Sequence, residues 1–271
     1  MRIHGTRLRL PTDLPCRLRL DVRPFDVNGW TDPEETSAPR SSHSPTAPPA
    51  SHDGARFTKV WNDHTPHKGR RPPQKGVANF RGSTTDAEGR EIVLESTLER
   101  AAATILLVDR NVARLRSQVG PVHHVDEAGK EKRPIFDFVA DGNSDDLAIA
   151  IKPERKRVSS GIDDTIAKVL VQRPDFTAEA TVWTEEQLPR SAEHNAGLIL
   201  RSRRLRDDTE IAAVKEIAGK TTGTFCLGQL VGSRGGTADA FAAAVNLIDD
   251  GILVPTERGR IRPELKVRFA A

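Results

Sequence analysis

The sequence predicts a mixed α/β unit followed by a helical unit that closes in a hairpin, with an arm ahead of both. Three observations predict this. Apolar residues recur at helical spacing from about Glu91, short alternating strands come after them, and three more helical patterns lead into a final pair of strands. At 271 residues the chain can hold two modest cores. The boundaries expected are an arm over 1–75, an α/β unit over 76–182 and a C-terminal unit over 183–271.

The arm is expected to be largely disordered. "TDPEETSAPRSSHSPTAPPASHDG" is rich in Pro, Ser and Thr and cannot bury enough apolar surface to offset ordering entropy. Ahead of it, "RLRLPTDLPCRLRLDVRPF" alternates in a way that suits an isolated hairpin. After it, "HKGRRPPQKG" carries Lys68, Arg70, Arg71 and Lys75, a tract that can lie along phosphates or simply be solvated.

In the α/β unit, "ESTLERAAATILLVDRNVARLRSQ" places Leu94, Leu98, Ala101, Ala102, Ile105 and Leu106 on one helical face. Ser96 or Thr97 can cap that helix, and Asp109, Arg110 and Asn111 end it. "VGPVHHV" reads as a strand, "DEAGKEK" as a turn, and "RPIFDFVA" and "DLAIAIKP" as a hairpin across "DGNSD". "SGIDDTIAKVLVQR" is expected to be a helix and "FTAEATVWT" a strand, which completes a small mixed sheet with helices.

Beyond it, "DDTEIAAVKEIAG", "TFCLGQLVG" and "TADAFAAAVNLIDDG" are helical, and "ILVPTERGRIRPELKVRF" is a hairpin. Three helices and a two-stranded wing make a winged-helix plan. A helix that reads a DNA groove should offer Arg, Lys, Asn or Gln. The third pattern offers Asn246 and ends in two aspartates, which repel phosphate, so it suits packing or a protein partner. Arg258, Arg260, Arg262 and Lys266 on the wing can touch a DNA backbone.

Composition narrows the field. The chain is 37% hydrophobic and 4% aromatic, with no Tyr and a mean hydropathy of -0.49. The 41 basic residues face 38 acidic ones, a net charge of +3, so any affinity for polyanions must be local. No apolar run approaches the roughly 18 residues of a membrane span. The N-terminus lacks the continuous apolar core of a secretory signal. Cys16 and Cys226 lie far apart in unlike sequence, so no disulfide and a cytoplasmic location are expected.

The chemistry-bearing stretch is "IFDFVADGNSDDLAIAIKPER". Strand alternation puts Asp137 on one face of its strand and Ala148, Ala150 and Lys152 on one face of the next. Antiparallel pairing can bring Asp137 and Lys152 over a common pocket, into which Glu99 can project from the upstream helix. Two carboxylates suit a hard divalent cation, Mg²⁺ or Mn²⁺, and a neighbouring lysine can orient water and offset charge on a phosphate. By spacing alone the pattern is weak, because Asp and Lys at strand ends are usually solvated.

Other motifs have plainer readings. His123 and His124 are adjacent on a strand and point to opposite faces. His64 and His67 in "HTPH" lack further ligands, and "VGSRGG" around Arg234 lacks the lysine of a phosphate-binding loop.

"LESTLERAAATILLVDRNVARLRSQVGPVHHV" followed by "RPIFDFVA" and "LAIAIKPER" resembles the TnsA-like heteromeric transposase endonucleases, in order over roughly residues 90 to 157. The C-terminal pattern fits that family's second domain. The resemblance implies a restriction-endonuclease-like core with a winged-helix domain. Glu99 then matches the helix acid, Asp137 the hairpin acid and Lys152 the lysine, with Mg²⁺ or Mn²⁺ on Glu99 and Asp137. It implies hydrolysis of DNA at the 5′ side of transposon ends in a bacterial cytoplasm. The partners implied are a DDE-type transposase subunit and an ATP-dependent regulator of transposition, with no membrane. Three departures stand out. Phe136 replaces the proline before the hairpin acid, the proline after Gln118 is delayed to Pro121, and Ala150 stands where the family has Glu or Gln. The last departure supports the alternative of a catalytically impaired DNA-binding or assembly factor. A winged-helix transcriptional regulator is a third reading, opposed by the acidic third helix.

Overall fold

The computed structural model describes Gly69, residues 80–142 and residues 145–270. The predicted disordered arm, its hairpin, His64 and His67, and the basic tract with Lys68, Arg70, Arg71 and Lys75 lie outside the described residues.

A hairpin of β1 (Gly82–Thr85) and β2 (Glu91–Leu94) opens the fold. Its turn is held by Asp86, whose Oδ1 accepts the Glu88 and Arg90 N–H groups at 3.0 and 2.9 Å. Helix α1 (Thr97–Val108) follows, with Ser96 as N-cap. Its apolar residues at i, i+3 and i+4 bury Ala101, Ala102, Ile105, Leu106 and Val108.

Strand β3 (Val112–Val119) starts earlier than the sequence suggested, inside the tail of the helical stretch. The helix stops at Asp109, whose carboxylate accepts the Asn111 N–H at 2.9 Å, and Leu115 then pairs with Ala140 in extended chain. A small ladder of β4 (His124–Val125) and β5 (Glu131–Lys132) leads to β6 (Phe136–Gly142) and β7 (Asp146–Ile151). Two helices, α2 (Glu154–Ser160) and α3 (Ile162–Gln172), cross over to β8 (Glu179–Trp183). The four-stranded sheet has the order β3-β6-β7-β8, with β7 and β8 parallel and the other pairs antiparallel.

The sheet separates two apolar layers. Leu115, Phe138, Ala140, Ile149 and Ile151 face α1. Val139, Ala148, Ala150, Ala180 and Val182 pack with Ile166 and Val169 of α3.

The C-terminal unit begins with α4 (Arg190–Arg204), a helix that the sequence pattern did not reveal. Next come α5 (Asp208–Lys220), β9 (Thr224–Cys226), α6 (Leu227–Gly232), α7 (Ala238–Asp249), β10 (Leu253–Pro255) and β11 (Lys266–Phe269). The three strands form an antiparallel sheet in the order β10-β11-β9. Ala196 and Ile199 of α4 join the α1 layer, and so do Val214, Leu247 and Val267, so one apolar core runs from β2 to β11. The fold is therefore mixed α/β with a mixed sheet and several helices. Among the described residues no helix is long and apolar enough to cross a membrane.

Candidate active site

Glu99 sits in the first turn of α1 and is 6% exposed. Its placement follows from Ser96 capping the helix three residues before it. The Glu99 N–H donates to Ser96 Oγ at 3.1 Å, the Ser96 hydroxyl donates to Glu99 Oε1 at 2.9 Å, and the Glu95 N–H donates to Oε2 at 2.7 Å. Burial nonetheless pushes the carboxyl up to about 7, against the lowering by the Glu95 amide; the Asp137 charge adds to the rise. That effect brings the two predicted acids into one electrostatic neighbourhood, although they come from a helix and a strand.

Asp137 lies where β6 leaves regular pairing. The β6–β7 ladder runs from Asp141↔Asp146 to Phe138↔Ile149, and one more step sets Asp137 across from Ala150. There the Ile151 N–H donates to Asp137 Oδ2 at 2.6 Å, so the carboxylate fills a ladder position that backbone would otherwise occupy. On the other side, the β3–β6 register sets Asp137 across from Gln118, between Ser117↔Phe138 and Val119↔Phe136.

Gln118 is the residue that sequence reasoning treated only as a departure from a motif. It has φ 51, in the left-handed region, and is 2% exposed. Such a backbone costs a non-glycine residue on the order of 1–3 kcal/mol and persists only where surroundings enforce it. The bend reverses the facing of both strands at one row: Phe138 faces α1 while Phe136 packs with Val122 and Phe176 on the α3 side. The Gln118 side chain is thereby aimed at α1, its Nε2 3.5 Å from Glu99 Oε2. A glutamine one row from a paired acid was the available signal, but only the backbone angle shows where the amide goes.

Lys152 immediately follows Ile151, at the end of β7, and its N–H donates to the Trp183 carbonyl at 3.0 Å. It is half-buried, and among the described residues no carboxylate lies within ion-pair distance of its Nζ. Position 150 offers no side-chain oxygen: Ala150 is 2% exposed and packs in the α3 layer. Asp146 binds Arg116 at 3.3 Å at the far end of β7, and Glu154 is exposed, so neither supplies the missing group.

The remaining motifs resolve simply. His124 is 4% exposed while His123 pairs with Glu131 at the surface, on opposite faces as alternation requires. Arg234 is bound to Glu210 at 2.7 Å in the turn after α6.

Two carboxylates and one amide oxygen are donors suited to a hard divalent cation that keeps several waters. Among the described residues no cluster of three His, Cys, Asp or Glu side chains is arranged for a metal. Neither protein-family models nor curated proteins match the chain.

Proposed function

We propose that the chain is a DNA endonuclease subunit of a heteromeric transposase, hydrolysing a phosphodiester at the 5′ side of transposon ends. The observation that carries this reading is the convergence at one bent row of the sheet. Asp137 is fixed by the amide next to Lys152, while its charge reaches the buried Glu99. The order of elements supports it too. Helix α1, three antiparallel strands, the crossover helix α3 and a parallel β8 agree with a restriction-endonuclease-like core. The run α5-β9-α6-α7-β10-β11 agrees with a winged-helix domain.

In this reading Glu99 and Asp137 hold Mg²⁺ or Mn²⁺, with the Gln118 amide beside them. A cation bound there would polarise the phosphodiester and acidify a water. Lys152, carrying no competing carboxylate among the described residues, orients that water and offsets charge on the phosphate. Asp137 keeps its angle because the Ile151 amide restrains one oxygen. A DDE-type recombinase and an ATP-dependent regulator would be its partners in a bacterial cytoplasm.

A second reading is a catalytically impaired nuclease fold that binds DNA or assembles the transposase. The apolar packing of Ala150 favours it, since that position contributes nothing to a cation.

Strand scission decides between them. Purified protein, its recombinase, Mn²⁺ or Mg²⁺ and end-containing DNA should give 5′ cuts with wild type. Asp137→Ala should lower the rate by at least a hundredfold. Equal cutting by both proteins rejects the catalytic assignment.

A further inference from the structure

Helix α7 takes the third-helix place of the winged-helix plan, after α5 and α6, yet it is enclosed from Ala242 to its end. Ala240 and Ala242 to Asp249 are all buried, and α4 and α5 pack against it. Its terminal Asp249 is 4% exposed and accepts from Arg203 at 2.8 Å and Arg110 at 3.0 Å, so that acid is turned inward. A groove-reading helix must present donors to bases, and this one exposes only Ala238 and Asp239 at its N-terminal end, an apolar residue and an acid.

The hairpin beside it is the reverse. Residues 255–268 contain Arg258, Arg260, Arg262, Lys266 and Arg268 against Glu257 and Glu264, a net +3 that equals the formal charge of the whole chain. All five cations are exposed. Arg260, Lys266 and Arg268 have no ion pair among the described residues, and Arg262 has only Glu264 at 3.7 Å.

This loop is also held in place. Asn195 of α4 clamps it with both ends of its amide: Nδ2 donates to the Gly259 carbonyl at 2.9 Å, and Oδ1 accepts the Ile261 N–H at 2.7 Å. Gly259 has φ 141, which a side chain would strain, and Ile261 is 4% exposed and anchors the loop in the core. The Gly228 and Leu227 N–H groups hold Pro263 and Leu265 carbonyls at 2.6 and 2.8 Å. Cations on a fixed backbone bind with less ordering cost than cations on a mobile one.

We infer that this wing is a sequence-indifferent binding surface for the phosphate backbone of duplex DNA, and that α7 takes no part in reading bases. The inference rests on the nuclease reading above for its choice of polyanion. It adds that recognition of a particular sequence comes from elsewhere in the assembly, because phosphate contacts carry position but no base information.

Fluorescence anisotropy of the full chain with labelled duplexes, in EDTA and over a salt series, tests this. Wild type should bind end-containing and scrambled duplexes within threefold of each other. Arg260→Glu with Arg262→Glu should bind at least tenfold more weakly and lower the slope of log affinity against log salt by about 2. Asn195→Ala should weaken binding severalfold with the slope kept, since the charges remain. Unchanged circular dichroism melts show that each variant is folded; if one is not, Arg260→Gln with Arg262→Gln replaces it. Binding of the double variant as tight as wild type overturns the inference while leaving the nuclease reading intact. A tenfold preference for one sequence overturns it as well, and so does loss of poly-glutamate binding with DNA binding retained, which would mark a protein-docking surface. Failure of wild type to bind any duplex overturns the nuclease reading itself.

Discussion

A single carboxyl shows how burial and chemistry are coupled at the residue scale. Glu99 ionises near 4.5 in the unfolded chain and at about 7 in the fold, chiefly because it is buried. Between those values the folded chain binds more protons than the unfolded chain, so stability falls as pH rises through this window. The span corresponds to roughly 3 kcal/mol at about 1.4 kcal/mol per unit. Wild type should therefore lose stability in urea from pH 5 to pH 8 more steeply than Glu99→Gln, whose side chain does not titrate. Saturating Mn²⁺ should flatten the wild-type curve, because a cation stabilises the ionised form. Parallel curves for the two proteins would refute the assignment. That Glu99 projects from its helix towards the Asp137 pocket was legible in the sequence; its high proton affinity was not, because it comes chiefly from burial in the fold, with the charge of Asp137, 38 positions away in sequence, adding to it.

Elements with periodic apolar residues were legible, and those without were not. Helices α1, α3, α5 and α7 each repeat apolar residues at helical spacing and were readable from that repeat. Helix α4 buries only Ala196, Ile199 and Ser202 in fifteen residues, so its polar sequence gave no helical signal. Likewise β3 was hidden because Val112 to Gln118 offers only Val112, Ala113 and Leu115 as apolar residues, too few to set a strand apart from the helical stretch before it. The bend at Gln118 and Asp137 could not be read at all, because it exists only in the pairing of β3 with β6. It can be tested by substitution. Asparagine tolerates the left-handed region and valine does not, so Gln118→Val should be less stable than Gln118→Asn by about 1–3 kcal/mol in urea unfolding, although the two side chains are close in size. Equal stabilities would mean the backbone there is extended.

Across the whole molecule, the two halves are joined by charge as well as by apolar packing. Arg110, from the turn after α1, and Arg203, from the end of α4, converge on Asp249 at the end of α7, and Arg203 Nη2 also donates to the Val108 carbonyl at 2.8 Å. Burial pushes Asp249 up, but the Arg203 and Arg110 guanidiniums outweigh it and hold the carboxyl below its usual range. Its contribution is thus present above the ordinary aspartate range and lost on acidification below it. Asp249→Ala leaves Arg203 without its carboxylate, while Arg110 keeps Asp250 at 2.6 Å, and should cost about 3 kcal/mol, visible as a lower midpoint of one cooperative transition. Two separate transitions would show the halves melting independently. The shared core also bears on how the chain is made. A ribosome releases α1 and the sheet that packs on it first, but α4, which covers another side of α1, and α7 behind it emerge only with the last third of the polypeptide. Until then α1 is covered only on its sheet side, so the earliest folded portion waits on the latest to complete its core, and chaperones that shield such surfaces have a defined interval in which to act.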